Sequence, residues 1–332
     1  EFSATPIVVE GMPESTKVHP YIYSTVRWAQ EGGKGMISLD VGLGKTFTGI
    51  ILALQEAALG HAKRPVVIVP KSVATNWQYE IQKIKPDAKV LVIGEHTKVL
   101  SSGPRKGDTV TEPDTDDDRN AKLALATQNT YDVILVTRPA FDKIPVREEA
   151  VKEWEQNDYW RRLENKRAGL NEKKLSKMQE RENSARAKLA QRFTKDIVYW
   201  DDIGIDFLMA DEAHAYKNLY VAKDRFGASP KFLGGGGQSK QAQDMAVKAH
   251  LVRARTPERR GVYFLTATPV KNSPIELYNM LSFVAPEEWE KRGIRNSEEF
   301  IDRYCVIEQR QVLNTKGAIE EAPCVVGFKN LT

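Results

Sequence analysis

A short glycine-rich segment, Gly42–Phe47, is the first feature of this 332-residue sequence whose residue types could carry chemistry. It follows an apolar run and precedes a helical pattern, and the backbone N–H groups of such a junction favour a bound anion. A lysine at this position reaches the β- and γ-phosphates of a nucleotide, and a threonine hydroxyl after it is a ligand for Mg²⁺. We therefore predict a site for ATP and Mg²⁺, with Lys45 catalytic and Thr46 on the metal. The residues of this site are Gly42, Leu43, Gly44, Lys45, Thr46 and Phe47.

The match to the strict phosphate-loop motif is incomplete at its first position. The motif begins with a glycine five residues before Gly44, and Leu39 stands there instead. An ordinary junction of strand, turn and helix is therefore the alternative interpretation of this segment by itself.

Two adjacent carboxylates, Asp211 and Glu212, form the second feature, and Ala213 and His214 follow them. They come directly after another apolar run, where such a pair suits a metal-dependent hydrolase. Asp211 is predicted to hold Mg²⁺ through water, and Glu212 to orient and deprotonate an attacking water molecule. His214 joins the catalytic candidates. The alternative for the pair is a charged strand end that caps a helix.

The turn Thr266-Ala267-Thr268-Pro269 is the third feature, and it also ends an apolar run. The hydroxyls of Thr266 and Thr268 could couple the γ-phosphate site to a second surface, whereas the alternative is a plain polar turn. In a parallel α/β sheet, ligands gather at the carboxyl ends of the strands. The three features can therefore face one nucleotide if the runs before them are parallel strands.

Six short apolar runs, rich in Val and Ile, are predicted to be those strands, because strands covered on both faces are almost continuously apolar. They are Gly35–Leu39, Pro65–Val69, Lys89–Ile93, Asp132–Val136, Asp206–Ala210 and Gly261–Leu265. Helical patterns lie between most of them, and this alternation predicts an α/β domain with a parallel sheet.

Three helices have recognisable ends. The first covers Lys45–Ala58 and stops at Gly60. The second is predicted to begin at Ser72 as its N-cap and to end near Pro86. The third begins at Ser273–Glu276, which reads as a capping box with proline at the first helical position.

Three segments interrupt the alternation of strands and helices. Ser101–Asn120 is rich in Gly, Pro, Thr and Asp and is predicted to be an acidic surface loop. Val146–Phe193 is dense in Lys, Arg and Glu, and Gly169 could turn it into a helical hairpin, which is either a solvated insertion or a clamp for DNA or a partner. The four glycines Gly234–Gly237 predict a flexible loop.

Composition narrows the class of protein. Hydrophobic residues make up 41% and charged residues 28%, and no stretch of about 18 apolar residues could span a membrane. The two cysteines, Cys305 and Cys324, are too few for a disulfide framework or a metal cluster and fit a reducing, cytoplasmic setting. The net charge of +4 permits nucleic-acid binding without arguing for it.

The motifs together resemble a known family. Gly42–Thr46, Asp211–His214 and Thr266–Pro269 are similar to motifs I, II and III of the superfamily-two helicase-like ATPases. Val67–Ser72, followed by Asn76-Trp77, resembles motif Ia of the Swi/Snf-type DNA translocases. Further segments that fit the same group are Lys217-Asn218 and Thr268–Asn272 leading into Glu276-Leu277.

A narrower group is indicated by Phe141–Pro145 and Gln238–Met245. These segments resemble helicase-like domains of large phage and mobile-element proteins that are often joined to an adenine-specific DNA methylase. The resemblance covers roughly residues 17–332. It implies an α/β fold, a single RecA-like P-loop NTPase lobe with a central, mostly parallel sheet, helices on both faces and a helical insertion.

The resemblance also implies a division of the chain. Residues 1–30 are expected to be an N-terminal flank and residues 31–285 the first ATPase lobe, with the acidic loop at 101–120 and the helical insertion at 146–193. Residues 286–332 are expected to lead toward a second motor lobe, because Val326–Leu331 is similar to the segment where such proteins leave the first lobe.

The function that this resemblance implies is the ATP-binding lobe of a double-stranded DNA translocase that uses ATP and Mg²⁺. By position, Lys71, Ser72, Thr137 and Arg138 are expected to grip the DNA backbone. The expected partners are duplex DNA, a second motor lobe in the same longer chain and a methylase or nuclease module, with no membrane. Because an arginine from the second lobe is expected to complete the site, this lobe by itself should hydrolyse ATP slowly.

Two departures from the family pattern keep other functions open. Ile22 stands near the position of the family's adenine-reading glutamine, and Ser38-Leu39-Asp40-Val41 replaces the usual Ala-Asp-Glu-Met before the loop. One alternative is a nucleotide-dependent DNA-binding scaffold or switch without translocation, against which the intact Glu212 argues. A strand-separating RNA helicase is the other, and the Swi/Snf-like Asn76-Trp77 disfavours it.

Overall fold

A six-stranded sheet, parallel throughout, forms the centre of the protein in a computed structural model that describes residues 2–102, 107–157, 197–220, 239–271, 273–313 and 317–329. The strands are β1 Gly35–Ser38, β2 Pro65–Val69, β3 Val90–Ile93, β4 Glu95–Val99, β5 Thr109–Pro113, β6 Val133–Thr137, β7 Phe207–Ala210, β8 Val262–Thr266, β9 Cys305–Leu313 and β10 Ile319–Phe328. The order across the central sheet is β1-β8-β7-β2-β6-β3, while β4–β5 and β9–β10 are separate antiparallel pairs.

Eleven α-helices are described beside the strands. They are α1 Pro20–Gly32, α2 Lys45–Ala58, α3 Ala74–Ile84, α4 Asp116–Ala126, α5 Arg138–Phe141, α6 Glu148–Asn157, α7 Trp200–Ile203, α8 Lys240–Arg255, α9 Pro274–Val284, α10 Pro286–Lys291 and α11 Ser297–Tyr304. Helix α1 begins inside the predicted N-terminal flank, yet its Val26 and Ala29 are fully buried in the core.

Alternate residues of the central strands enter two different cores, because successive side chains of a strand point to opposite faces. Val67 and Met209 join α1, α2 and α3 on one face. Ile68 and Ala210 join α8 and α9 on the other face. The predicted α/β lobe with helices on both faces is thereby confirmed, and all six predicted strands are found to within one residue.

The register brings the predicted site residues to one edge of the sheet. Ser38 at the end of β1 pairs with Thr266 at the end of β8, and Val69 at the end of β2 pairs with Thr137 at the end of β6. Since the strands are parallel, their carboxyl ends and the segments after them lie side by side, as the sequence predicts.

The prediction of an acidic loop at Ser101–Asn120 is wrong for most of that segment. Residues 109–113 form β5, which pairs with β4, and Asp116 begins α4. Thr115 and Asp118 form a capping box, so the three aspartates occupy the first turn of a helix, where the helix dipole favours negative charge. The carboxylate of Asp114 is also used, since it accepts hydrogen bonds from Gly94 N at 2.6 Å and Lys122 Nζ at 2.7 Å.

The predicted N-cap at Ser72 is also wrong. Ser72 lies in a short 3₁₀ turn, Lys71–Val73, and α3 begins at Ala74 without a side-chain cap. The extended conformation of Pro70, with ψ near 140°, directs the chain into that turn, which Val73 N closes on Pro70 O at 3.0 Å.

The capping box predicted at Ser273–Glu276 is half confirmed. Ser273 caps α9 by accepting a hydrogen bond from Ile275 N, and proline begins the helix. The Glu276 carboxylate does not turn back to Ser273 but accepts from Lys271 N at 2.7 Å and Lys217 Nζ at 2.6 Å.

Part of the predicted helical insertion at Val146–Phe193 is seen as α6, and residues 158–193 lie outside the described residues. The predicted loop Gly234–Gly237 lies outside them as well. No helix in the described part of the chain combines the length and the apolarity that a membrane span requires.

Candidate active site

The phosphate loop between β1 and α2 is shaped by glycines. Gly42 and Gly44 have φ angles of +85° and +75°, which side chains rarely adopt. A Cβ atom at Gly44 would lie 3.4 Å from Ile22 Cδ1, so the loop rests directly on the first turn of α1. The hydroxyl of Tyr21 donates a hydrogen bond to Leu43 O at 3.0 Å and fixes the tip of the loop to the same helix.

Lys45 lies half-buried at the start of α2, with its ammonium group beside the backbone that precedes the loop glycines. Its Nζ donates to Leu39 O at 3.2 Å and lies 3.5 Å from Asp40 O, so backbone oxygens hold the charge. Thr46 follows in the first helical turn, and Phe47 packs against the core formed by α1, α2 and α3. The sequence predicted this placement of Lys45 and Thr46 after β1.

Asp211 follows β7 and is nearly buried, with 6% of its surface exposed. Its Oδ1 accepts from Glu212 N at 2.9 Å, and its Oδ2 accepts from the indole Nε1 of Trp77 at 2.9 Å. Burial raises the pKa of Asp211, while the Trp77 hydrogen bond and the charge of Lys45 act in the opposite direction. Because β8 alone separates β1 from β7 and all three strands are parallel, the phosphate loop and the Asp-Glu turn follow strands at the same edge of the sheet.

Glu212 has an unusual backbone conformation, with φ and ψ both at 49°, in the left-handed region. A residue other than glycine held there costs on the order of 1–3 kcal/mol, and such residues cluster at functional sites. The side chain of Glu212 is 38% exposed, and its Oε2 lies 3.1 Å from His214 Nδ1. The carboxylate is thus accessible from solvent beside a buried Asp211.

These residues fit a nucleotide with Mg²⁺. The space beside Gly42 is open, since an added Cβ there would meet nothing within 4 Å. The Thr46 hydroxyl and the Asp211 carboxylate are hard oxygen donors, which Mg²⁺ prefers. Lys45 supplies the positive charge that phosphates require.

The Thr-rich turn contributes one buried and one exposed hydroxyl. Thr266 is fully buried at the end of β8, and its Oγ1 accepts a hydrogen bond from Thr268 N at 3.1 Å. Thr268 is exposed. Thr266 therefore shapes the turn through the backbone of Thr268, whose own side chain faces outward, and their predicted coupling role stays a prediction.

The Asp-Glu turn and the Thr-rich turn are joined by Glu276 of α9. Its two carboxylate oxygens hold Lys217, which follows the Asp-Glu turn, and the backbone of Lys271, which follows the Thr-rich turn. Asn279, one helical turn later, donates to Lys217 O at 2.7 Å. The two polar residues on one helix face therefore connect two of the three predicted motifs.

The four residues predicted to grip DNA lie in different surroundings. Lys71 and Ser72 are exposed beyond the end of β2. Thr137 is 1% exposed. Its Oγ1 packs against Gly94 so closely that a Cβ atom at Gly94 would lie 2.0 Å from it. Arg138 is half-buried, and its Nη2 donates to Asp211 O at 3.1 Å and Glu212 O at 3.2 Å. Only Lys71 and Ser72 of this set present their side chains freely.

The two segments that indicated a narrower family are in contact with each other. Lys248 of α8 is fully buried, and its Nζ donates to Phe141 O at 2.7 Å and to Asp244 Oδ2 at 2.6 Å. Gln241 donates to Asp142 Oδ2 at 2.9 Å. These bonds fasten α8 to the turn after α5, so the two sequence signatures describe one packing interface.

Trp77, Glu276 and Asn279 are site residues that the sequence did not reveal as such. Trp77 packs α3 into the core, since only 1% of it is exposed. Its hydrogen bond to Asp211 spans 134 positions in sequence, and no spacing pattern predicts such a bond. A buried Trp normally finds a partner for its N–H group, which is the one available signal.

Comparison with known proteins identifies the family. A family profile described as “Probable helicase domain” matches residues 28–310. The chain belongs to this family. The resemblance of its motifs to helicase-like domains is thereby confirmed.

Two relatives of this helicase domain are much longer proteins. Defense against restriction protein B of Escherichia phage P1 is 29% identical over 362 residues, which cover 100% of this chain and 16% of that protein. The transcriptional regulator ATRX homolog of Caenorhabditis elegans is 26% identical over 309 residues, which cover 90% of this chain and 17% of that protein. The helicase domain thus spans about a sixth of the length of either relative.

Among solved structures, the “Sulfolobus solfataricus SWI2/SNF2 ATPase core in complex with dsDNA” is similar to the helicase domain with a TM-score of 0.46 and 15% sequence identity. The match covers 90% of this chain and 40% of that chain.

Proposed function

We propose that this helicase domain is the ATP-binding lobe of an ATP-dependent double-stranded DNA translocase. The observation that carries the proposal is the meeting of Lys45 and Thr46 with Asp211 and Glu212 at one edge of the sheet. Lys45 and Asp211 are 166 positions apart in sequence, yet they follow β1 and β7, parallel strands that only β8 separates in the sheet. A nucleotide-hydrolysing site needs this set of groups.

Each residue has a role that its position supports. Lys45 neutralises the β- and γ-phosphates, and Thr46 with Asp211 would hold Mg²⁺, which supplies positive charge to the phosphate oxygens. Glu212 accepts a proton from the attacking water, because its side chain is 38% exposed and its carboxylate is accessible from solvent. His214, 3.1 Å from Glu212, would orient that carboxylate.

Duplex DNA is the proposed nucleic-acid substrate, and the lobe is proposed to bind it through its phosphate backbone. Lys71 and Ser72 are exposed at the edge that carries the nucleotide residues, so phosphate contacts there lie close to the hydrolytic groups. Membership in a helicase domain family supports a nucleic-acid substrate. Binding through phosphates is independent of sequence and weakens as salt rises.

The partners proposed with this lobe are a second motor lobe in the same longer protein and a methylase or nuclease module. The length of the phage relative, of which this chain spans 16%, leaves room for such modules in that protein. An arginine from a second lobe would raise turnover by about 10³–10⁵, as in related phosphoryl transfers.

The test is ATP hydrolysis by the full-length protein with and without duplex DNA. Wild type should be stimulated by DNA, and Lys45→Ala should abolish turnover, while Lys83→Ala, an exposed lysine on α3, serves as the matched control. Unchanged turnover in Lys45→Ala would overturn the proposal. Nucleotide-dependent DNA binding without any turnover would favour the scaffold or switch, and stimulation by RNA rather than duplex DNA would favour an RNA helicase.

A further inference from the structure

Arg138 is the one residue of the expected DNA grip whose charged group points to the hydrolytic turn. It follows the last residue of β6, and its guanidinium extends past the end of β2 to reach the end of β7, two strands away. There a single nitrogen, Nη2, donates to Asp211 O at 3.1 Å and to Glu212 O at 3.2 Å. The ring of Tyr216 lies 5.8 Å from the guanidinium carbon, within the range of a cation–π contact.

The two carbonyls that Arg138 holds belong to the two peptide planes on either side of the Glu212 Cα atom. Rotation about φ of Glu212 moves the first carbonyl, and rotation about ψ moves the second. One donor bonded to both oxygens therefore fixes both torsions. The backbone of Glu212 needs such support because its φ and ψ of 49° lie in the left-handed region.

The position of Arg138 directly after β6 connects its hold on the Glu212 backbone to the proposed DNA-binding residues. Thr137, the residue before it, pairs with Val69 at the end of β2, and the exposed Lys71 and Ser72 follow β2 directly. A phosphate bound there touches the same edge from which the Arg138 side chain departs. A small movement of this edge would be transmitted to the Glu212 backbone through two hydrogen bonds.

We propose that Arg138 is a positioning residue that sets the Glu212 backbone, and through it the catalytic carboxylate, in response to DNA bound beside β2. This inference rests on the proposed function, and it replaces the expectation that Arg138 contacts a DNA phosphate. The role of Arg138 is to position the Glu212 carboxylate as the general base, whereas the role of Lys71 is to bind DNA.

The experiment compares Arg138→Gln and Arg138→Lys with Arg64→Gln. Arg64 is the matched control, because it is also half-buried and its Nη2 donates to a backbone carbonyl, Thr127 O, at 3.0 Å. Four quantities are measured on the full-length proteins: kcat at saturating DNA, the Kd for duplex DNA across a range of salt, the Kd for a fluorescent ATP analogue, and the melting temperature. Amide hydrogen exchange over residues 211–216 is added as a readout that needs no turnover.

Arg138→Gln should lower kcat by about 10²-fold, the size expected when a reacting group is displaced by about 1 Å. The Kd for DNA and the Kd for nucleotide should stay within about threefold of wild type, and exchange over residues 211–216 should accelerate. Arg138→Lys should recover part of kcat, because an ammonium group can still donate to one carbonyl. Arg64→Gln should leave kcat and the local exchange as in wild type.

The opposite pattern would overturn the inference. If Arg138 binds a phosphate, Arg138→Gln weakens DNA binding, reduces the salt slope by about one and leaves kcat at saturating DNA unchanged. If wild type shows no DNA-stimulated hydrolysis, the proposed function fails, while the exchange experiment still decides whether Arg138 holds the turn. If Arg138→Gln does not fold, the same measurements on Arg138→Lys decide the question, and unchanged exchange there counts against the inference.

Discussion

The phosphate loop and the Asp-Glu turn lie opposite each other, and they are held in different ways. The loop is tied to α1 by the Tyr21 hydroxyl and depends on the conformational freedom of Gly42 and Gly44. The turn is held from three sides, by Trp77, by Arg138 and by Glu276 through Lys217. The loop offers backbone groups that can adapt to a ligand, whereas the turn presents carboxylates in a fixed position.

This difference suits the chemistry proposed for each side. Phosphate oxygens can be bound by any well-directed N–H group, so a loop can adjust as the ligand enters. A general base must lie within hydrogen-bond reach of the water that it deprotonates, so it must be placed before the reaction begins. We therefore expect changes to the turn to affect turnover, and changes to the backbone of the loop, as distinct from the Lys45 side chain, to affect nucleotide affinity.

The largest effect is expected from Glu212→Gln, which keeps the shape of the side chain and removes the base. DNA-stimulated kcat should fall by about 10²–10⁴-fold, the usual contribution of a general base, while nucleotide affinity is retained. Glu290→Gln, at an exposed position in α10, is the control. A fall in nucleotide affinity that matches the fall in kcat would contradict this expectation. It would show that Glu212 acts in nucleotide binding, as the phosphate loop does.

Trp77→Phe should weaken the support of Asp211 while keeping an aromatic ring in the core. The loss of a hydrogen bond to a buried carboxylate should lower the free energy of unfolding by about 1.5–3 kcal/mol, measured by urea denaturation. Trp200→Phe is the matched control, since Trp200 is also 1% exposed but donates to a neutral carbonyl, Lys248 O, at 3.3 Å. It should cost about 1 kcal/mol. Equal losses in the two variants would mean that the carboxylate gains nothing special from Trp77.

Gly44→Ala tests the loop. A side chain in the left-handed region costs about 1–2 kcal/mol, and the new Cβ would contact Ile22 Cδ1 at 3.4 Å. The Kd for ATP should rise about tenfold. Gly60→Ala imposes a similar backbone strain, with φ of +76° and open space around the new Cβ, and it should reduce stability without altering the Kd. An unchanged Kd in Gly44→Ala would contradict this expectation and show that nucleotide binding does not depend on the conformation of Gly44.

The smallest effect concerns the nucleobase. Ile22 lies against the phosphate loop, is 3% exposed and carries no hydrogen-bonding group. A site without a matching donor or acceptor discriminates weakly, so ATP and GTP should compete for a fluorescent nucleotide with Kd values within about tenfold of each other. A preference for ATP above about a hundredfold would place an adenine-reading group elsewhere in the site.

Much of this architecture could be predicted from the sequence. The strands that end at Ser38, Ala210 and Thr266 are continuous apolar runs, and a parallel sheet buried on both faces requires such runs. The phosphate loop and the Asp-Glu pair were predictable because their chemistry depends on neighbouring residues. Lys45, Thr46, Asp211 and Glu212 are accordingly brought together by the fold.

The features that the sequence did not predict depend on contacts between distant residues. The bond from Arg138 to the Asp-Glu turn and the bond from Trp77 to Asp211 join different strands and helices, so no local spacing encodes them. The acidic segment was misjudged for another reason. Composition suggested a loop, but Thr115 and Asp118 form a cap, and the buried carboxylate of Asp114 is paired with Lys122. In each case a specific partner outweighs the average behaviour of the residue type.

The position of β1 at the edge of the sheet has a consequence for synthesis on the ribosome. Among the described strands its one neighbour is β8, and Met36 pairs with Phe264, 228 residues further along the chain. At about 5–20 residues per second, roughly 11–46 s of translation separate the two strands. During that interval the nascent phosphate loop has no strand beside it and no Thr-rich turn opposite it. A nascent chain that ends before residue 262 therefore carries the phosphate loop without β8 beside β1.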